Sequence, residues 1–198
     1  MLIFDTLAPY FGLWAFISLM VGTPGPANLL AMSAGAAYGF RANMGFLGGL
    51  LGGALVVNFA ISFGFGAVLV SVPLAATIFS FISAAYLCYL AFRGWHNGGK
   101  GAQKIAPMRF LQGLVVHPLN PKAWVMASLA YTQFIVGFDT AFERYALAPL
   151  SFFVAQIVFH GLWCWAGALL KTQMGTSLLL NRSLILLTVA VVLWALAQ

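Results

Sequence analysis

The sequence predicts an all-α integral membrane protein with six transmembrane helices, arranged as two inverted three-helix repeats with broken first helices. The prediction rests first on composition, because 63% of the 198 residues are hydrophobic and only 6% are charged. A water-facing surface needs roughly a quarter to a third of its positions as Lys, Arg, Asp or Glu. The surface of this chain must therefore face lipid. The other two observations are six separate apolar segments and proline-rich interruptions in two of them.

The first apolar segment covers residues 7–38 and is interrupted by Thr23-Pro24-Gly25-Pro26. Proline removes a backbone donor and clashes with the preceding helical turn, so no regular helix can pass through this motif. A spanning helix needs about 20 apolar residues. We therefore expect one broken span in this segment.

The second and third apolar segments cover residues 44–70 and 74–92. The second opens with GFLGGLLGG, in which Gly45, Gly49 and Gly53 recur at every fourth position. Small residues at this spacing line one face of a helix and let another backbone approach closely, which is a main means of helix association in lipid. This face is predicted to pack against another helix.

The second half of the chain repeats this pattern. A polar stretch at residues 94–109 is predicted to be a cytoplasmic loop, and apolar segments follow at residues 110–136, 147–170 and 177–197. The fourth segment is again interrupted, by His117-Pro118-Leu119-Asn120-Pro121-Lys122. Its prolines predict a second broken span.

The two interruptions occupy corresponding positions in the two halves, since Gly25-Pro26 precedes Asn120-Pro121 by 95 positions. Three spans per half is an odd number, so two similar halves must enter the membrane from opposite sides. Paired interruptions are typical of transporters built from inverted repeats. We predict a single transmembrane domain over residues 1–198, with repeat one at 1–93, the cytoplasmic loop at 94–109 and repeat two at 110–198.

The distribution of charge predicts that both termini lie outside. One set of predicted loops holds seven basic residues and no acid: Arg41, Arg93, Lys100, Lys104, Arg109, Lys171 and Arg182. The opposite set holds Asp5, Asp139, Glu143 and Arg144. Cytoplasmic loops carry the excess of Lys and Arg, so the first set is assigned to the cytoplasm.

The two interruptions are expected to form a substrate site. Hydrocarbon does not tolerate the backbone groups that a broken helix exposes, unless they line a polar cavity or find partners. Half-helices that begin after each break would direct positive dipole ends at an anion, such as the carboxylate of an amino acid. The predicted substrate-binding residues are Gly25, Asn28, Asn120 and Lys122, and the predicted helix-break residues are Pro24, Pro26, Pro118 and Pro121.

Several of these residues have two interpretations. An unpaired ammonium is costly inside an apolar segment, so Lys122 either holds the substrate carboxylate or pairs with free carbonyls at the break. Asn28 either binds substrate or caps a helix. His117 and His160 carry imidazoles that titrate near neutral pH, which makes them candidates for proton coupling. The alternative for each histidine is a structural hydrogen bond.

Enzymatic and metal chemistry find little support in the sequence. It contains no His-Glu-x-x-His motif, no metal-ligand cluster and no serine–histidine–aspartate set at a plausible depth, so no metal, cofactor or catalytic residue is predicted. An intramembrane enzyme is one alternative to transport, but it needs a nucleophile or a paired acid and base. A non-transporting scaffold is another. It would explain the glycines but not the paired proline breaks.

Three runs of residues resemble the LysE/RhtB family of bacterial amino-acid exporters. They are PGPANLLAMSAGAAYGFRANMGFLGGLLGG, AAYLCYLAFRGW and FLQGLVVHPLNPKAWVMASLAYTQF, and the resemblance covers nearly the whole chain. It implies a six-helix, multi-pass protein of the bacterial inner membrane that exports a small amino acid or derivative, driven by the proton gradient. The expected partners are that substrate, protons as the coupling ion and the lipid bilayer, with a homodimer as a further option and no nucleic acid.

Overall fold

The computed structural model describes residues 2–65, 73–95, 106–135, 138, 140–174 and 177–197, and every regular element within these ranges is a helix. In chain order the α-helices are α1 (Leu2–Gly22), α2 (Pro26–Tyr38), α3 (Met44–Ser62), α4 (Pro73–Phe92), α5 (Phe110–Val116), α6 (Pro121–Ala130), α7 (Ala148–Met174) and α8 (Leu178–Leu196). A 3₁₀ turn (Arg41–Asn43) precedes α3, and π-helical turns follow α6 (Tyr131–Ile135) and precede α7 (Glu143–Leu147). The all-α prediction is confirmed over these residues.

Three helical stretches of the described chain are long and apolar enough to cross a membrane: Arg41–Ser62, Glu143–Thr172 and Leu178–Leu196. The part of α1 from Ala8 onward and α2 pass the same test as a pair bent by 53°, which gives four spans if the bent pair counts as one. The other two predicted spans correspond to α4 and to the short helices α5 and α6. These helices make the chain a multi-pass membrane protein, while the count of six spans stays a prediction.

Several helix ends differ from the predicted segments. The first helix begins at Leu2 rather than at residue 7, and the fifth segment is helical from Glu143 to Met174 rather than over residues 147–170. The third helix ends at Ser62, two residues before Gly64 adopts the left-handed φ of 87° that glycine tolerates at a helix end. The end of the second predicted segment and most of the predicted cytoplasmic loop lie outside the described residues.

The first break separates α1 from α2 at residues 23–25. Pro24 and Pro26 lack backbone N–H groups, so neither can extend the hydrogen-bond ladder of α1. The second half-helix starts with Pro26 in its first turn, where a missing donor is tolerated, and its N-cap Gly25 supplies no side-chain cap. The interruption predicted here is therefore confirmed.

The second break lies between Val116, the last residue of α5, and Pro121, the first residue of α6. Asn120 is the N-cap of α6, and its Oδ1 accepts a hydrogen bond from the backbone N–H of Lys122 at 3.2 Å. The predicted interruption is present here too. Part of the N-terminal end of α6 is already satisfied by this cap.

Glycines bring the backbones of α3 and α5 into direct contact. A Cβ atom at Gly49 would lie 2.0 Å from the carbonyl oxygen of Phe110, and one at Gly53 would lie 2.2 Å from that of Leu114. At Gly45 the nearest atom would be 3.9 Å away, which is ordinary van der Waals contact. Two of the three predicted glycines are therefore needed for this helix crossing, and the third lies at its margin.

A second close crossing joins α2 to α7. A Cβ atom at Gly35 would lie 2.0 Å from the carbonyl oxygen of Cys164, and one at Gly167 would lie 2.0 Å from that of Met32. These two glycines are on different helices. Gly35 continues a spacing of four with Ala27 and Ala31, whereas Gly167 has Trp163 and Lys171 at that spacing. Neither glycine was predicted from the sequence to lie at a helix crossing.

A polar layer divides the apolar core into two clusters. One cluster, which includes Phe152, joins residues of α1, α3, α6 and α7, and the other, which includes Phe46, joins residues of α2, α3, α4, α5, α7 and α8. The chain passes from one cluster to the other at both breaks and in the middle of α7. Buried polar side chains lie at these crossing points: Asn28, His117, Asn120, Gln156 and His160.

Contacts near the helix ends gather basic residues at one end of the bundle. Lys171, near the end of α7, donates to a carbonyl oxygen in the last turn of α2 at 3.1 Å. Near the start of α8, the guanidinium of Arg182 lies 5.0 Å from the ring centre of Trp95, which follows α4. Toward the opposite end, the hydroxyl of Tyr10 in α1 donates to the carboxylate of Glu143.

The α3–α5 crossing leads to a test of stability. We expect Gly49→Ala to lower the free energy of unfolding by about 2 kcal/mol, because the added methyl group must push two backbones apart. Gly45→Ala is the matched control on the same helix and should leave stability nearly unchanged. Thermal unfolding of the purified variants in detergent measures both. Equal melting temperatures for the two variants would contradict the crossing.

Candidate functional site

Lys122 joins the two breaks. It follows Pro121 in the first turn of α6, and its Nζ lies 2.9 Å from Thr23 Oγ1, 3.3 Å from the carbonyl oxygen of Thr23 and 3.5 Å from that of Pro24. A Cβ atom at Gly25 would lie 3.1 Å from the Cδ of Lys122, so the lysine stem passes directly over this glycine. The ammonium thus pairs with oxygens of the first break from its position on the second.

A cavity of about 320 Å³ lies beside this contact. Its walls are formed by both breaks and by the sides of α4 and α8 that face them, including the apolar side chains of Leu87 and Val192. Thr23 and Lys122 both line this cavity. A cavity of this volume, mostly apolar with a few polar groups, is typical of a small-molecule site.

A chain of three buried polar side chains lies behind the breaks. The Nε2 atoms of His117 and His160 are 3.0 Å apart, and the Nδ1 of His160 lies 2.7 Å from the Oδ1 of Asn28. The amide nitrogen of Asn28 donates to the carbonyl oxygens of Val21 at 2.7 Å and Thr23 at 2.9 Å. The two histidines, which were predicted as separate candidates, are therefore in direct contact.

The predicted substrate-binding residues do not all line the large cavity. Gly25, Asn120 and Lys122 do, whereas Asn28 lines a smaller cavity together with the two histidines. Asn28 does not cap α2. Its amide instead donates to carbonyl oxygens at the end of α1 and in the break, which is a structural role not predicted from the sequence. Binding of substrate by these residues stays a prediction.

The predicted helix-break residues also divide into two groups. Pro24, Pro26 and Pro121 line the large cavity, while Pro118 does not. The carbonyl oxygen of Pro118 accepts a hydrogen bond from the indole of Trp124 at 2.8 Å, so this part of the second break is satisfied within its own half of the chain.

Three residues with contacts at the site were not assigned a role from the sequence. Thr23 supplies the hydroxyl that meets Lys122, Gln156 lies buried beside the histidine pair, and Trp163 donates its indole N–H to the carbonyl oxygen of Gly22 at 3.1 Å. Gln156 lies inside an apolar segment, and this position could have marked it from the sequence as a candidate site residue. The tryptophan carried no such signal, since lipid contact and packing explain most tryptophans in membrane helices.

Two spans are broken near the middle of the bundle, and an intramembrane lysine lies at a cavity between the breaks. This arrangement is typical of membrane proteins that bind a substrate at a buried polar site, as secondary transporters do. The profile of the LysE type translocator family matches residues 17–198. The chain belongs to this family.

Curated relatives agree with the family. A protein named cysteine/O-acetylserine efflux protein from Escherichia coli (strain K12) is 27% identical over 155 residues, which cover 77% of this chain and 78% of the relative. Proteins of the same name from Shigella flexneri serotype 5b (strain 8401) and Shigella sonnei (strain Ss046) match with the same identity and coverage. No solved structure matches the chain.

Proposed function

We propose that this chain is a secondary exporter of a small amino acid or amino-acid derivative across the bacterial inner membrane, coupled to protons. The observation that carries the proposal is Lys122, whose ammonium joins the two helix breaks on the wall of the large cavity. Family membership and the efflux proteins among its relatives support export over an intramembrane enzyme or a scaffold.

The ammonium of Lys122 is the proposed anchor for the substrate carboxylate. Its contacts to the carbonyl oxygens of Thr23 and Pro24, at 3.3 and 3.5 Å, are long for hydrogen bonds, so they are weak partners that a carboxylate can replace. A carboxylate carries a full negative charge, so it is a stronger partner for the ammonium than a neutral carbonyl oxygen. The ammonium can therefore pass from the break to the substrate without being left unpaired.

The walls of the large cavity favour a substrate with a neutral side chain. The described residues that line it include apolar groups from α1, α4 and α8 and no carboxylate, so a second ammonium on the substrate would find no ionic partner there. The names of the relatives, which refer to cysteine and O-acetylserine, agree with a small neutral side chain. We therefore propose a small neutral zwitterion as the substrate.

Six spans in two inverted repeats, with both termini outside, remain our proposed architecture. The two breaks meet each other in the fold, as paired broken helices of inverted repeats do. Lys171 and Arg182 lie with the ends of α2 and α4 at one end of the bundle, which agrees with a single cytoplasmic side.

The role of Lys122 can be tested in proteoliposomes loaded with a mixture of amino acids that includes cysteine, O-acetylserine and lysine. We expect Lys122→Met to reduce efflux at least tenfold, since a charge-assisted bond to the substrate is lost. Lys122→Arg should recover only part of the activity, because a planar fork replaces a compact charge.

The matched control is Lys171→Met. Lys171 also donates to a backbone carbonyl near a helix end, but it does not line the large cavity. We expect this variant to change protein abundance at most and to leave efflux per molecule unchanged. If both lysine variants lower abundance while transport per molecule stays at the wild-type level, Lys122 only steadies the break and the proposed anchor is wrong.

The orientation can be tested by labelling single cysteines in a chain whose Cys88 and Cys164 have been replaced by alanine. We expect a cysteine at position 98 or 101 to react with a membrane-impermeant reagent only from the cytoplasm, because the basic segments stay on that side. A cysteine at position 137 should react only from outside. Reaction of position 98 from outside would reverse the proposed topology.

Proton coupling is assigned to the histidines. His117→Gln and His160→Gln retain hydrogen-bonding groups but no longer titrate between pH 5 and 8. We expect each to abolish efflux driven by an imposed pH gradient while sparing exchange of substrate across the membrane at equal pH. Gradient-driven efflux at the wild-type rate in both variants would show that the proton takes another route.

A further inference from the structure

A second, smaller cavity lies behind the breaks, next to the histidine pair. Its volume is about 20 Å³, and its lining includes His117, Gln156, His160 and Lys122. Two buried acceptor atoms, the Nδ1 of His117 and the Oε1 of Gln156, have no hydrogen-bond partner in the described part of the chain. Buried polar atoms of this kind usually have a partner, so both call for an explanation.

The hydrogen bonds around Asn28 fix which ring nitrogen of each neutral histidine carries a hydrogen. Both amide hydrogens of Asn28 are used by the carbonyl oxygens of Val21 and Thr23, so the atom that faces His160 is the acceptor Oδ1. The Nδ1 of His160 must then be the donor. In a neutral imidazole the other nitrogen is an acceptor, so the Nε2 of His160 accepts.

The accepting Nε2 of His160 in turn determines the tautomer of His117. The Nε2 of His117, which lies 3.0 Å from the Nε2 of His160, must donate. The Nδ1 of neutral His117 therefore carries a free lone pair, and this is one of the two unpartnered atoms at the small cavity. The open end of this chain of bonds is at His117, because both amide hydrogens of Asn28 at the other end are already used.

We propose that His117 and His160 form a store for one proton, which is loaded at the Nδ1 of His117 through a water held between that atom and the Oε1 of Gln156. A cavity must have a volume of about 10–15 Å³ to hold one water molecule, so the small cavity has room for one. The two hydrogens of this water can be donated to the two acceptor atoms. Gln156 is thereby assigned as a positioning residue for the coupling proton. The role of the store in export rests on the function proposed above.

The proton balance of the step is simple. The water gives one hydrogen to the Nδ1 of His117, which breaks that O–H bond and forms an N–H bond. It takes one proton in return from a hydronium ion on the side of the large cavity, which becomes neutral water, so one proton enters and the bound water is restored. The hydrogen on the Nε2 of His117 can then shift across 3.0 Å to the Nε2 of His160, which spreads the charge over both rings. The reverse sequence unloads the store.

The store holds one extra proton and not two. With two, both Nε2 atoms would carry hydrogens and would face each other at 3.0 Å with no acceptor between them. Among the described residues lining the small cavity, the titratable groups are the two histidines and Lys122. No carboxylate stands there to compensate a second charge, and the ammonium of Lys122 opposes it.

Nitrogen-15 NMR of the full chain in lipid nanodiscs tests the proposal without measuring transport. His96 is replaced by glutamine, so that only the paired histidines give imidazole signals. At high pH we expect a hydrogen on the Nδ1 of His160 and on the Nε2 of His117. On acidification the pair should take up one proton in total. A hydrogen on the Nδ1 of His117 at high pH, where the pair holds no extra proton, or two protons taken up independently on acidification, would overturn the store.

Gln156→Leu tests the positioning role. It removes the second acceptor of the water, and we expect the proton affinity of the pair to fall about tenfold, since a bond that supports the charged form is lost. The histidine tautomers at high pH should not change. Gln112→Leu is the matched control, because the side chain of Gln112 bonds the backbone N–H of Arg109, away from the pair. Equal proton affinities for the two variants would remove Gln156 from the proposal.

Failure of this proposal can be told apart from failure of the proposed export. If the wild-type protein shows the expected tautomers at high pH and takes up one proton on acidification, but a pH gradient drives no efflux, the proton store is correct and proton-coupled export is wrong. If gradient-driven efflux occurs but the tautomers are reversed, export stands and the store is wrong. Gln156→Met, which keeps the length of the side chain, replaces Gln156→Leu should that variant fail to fold.

Discussion

Backbone carbonyl groups left open by a broken helix inside a lipid-facing bundle constrain the rest of this structure. The hydrocarbon region contains no water that could hydrogen-bond to such groups, and each group without a partner costs several kcal/mol. At the first break, the carbonyl oxygens of residues 21–24 accept from Asn28, Trp163 and Lys122. Two of these donors come from helices in the other half of the chain, so the break is stable only when the two halves are packed together.

This requirement accounts for the arrangement of the helices around the breaks. Side chains that reach a backbone in the middle of the bundle need helices that approach closely, and the glycine crossings of α2 with α7 and of α3 with α5 provide that approach. The donors form a polar layer between two apolar clusters. The large cavity lies beside this layer, between the two breaks and the helices α4 and α8.

The same side chains can then serve both the fold and the proposed transport cycle. The alternative interpretations of Lys122, as a partner for carbonyls and as an anchor for substrate, do not exclude each other, since its bonds to Thr23 and Pro24 differ widely in length. Asn28 likewise donates to a carbonyl oxygen at the end of α1 and orients His160 through its Oδ1. A site whose members also hold the breaks together links occupancy of the cavity to the packing of the two halves, which is what alternating access requires.

The sequence by itself determined the membrane class, both helix breaks, the glycine face of α3 and the identity of Lys122 and the two histidines as unusual residues. These features follow from local chemistry: hydrophobic composition, proline geometry and the cost of a polar group in an apolar segment. The tertiary structure decided which residues meet. The contacts of Lys122 with Thr23, of His160 with Asn28 and of Trp163 with Gly22 each join residues more than 90 positions apart. No local pattern specifies such pairs, because they depend on how whole helices cross, and that is fixed by the summed packing of the bundle.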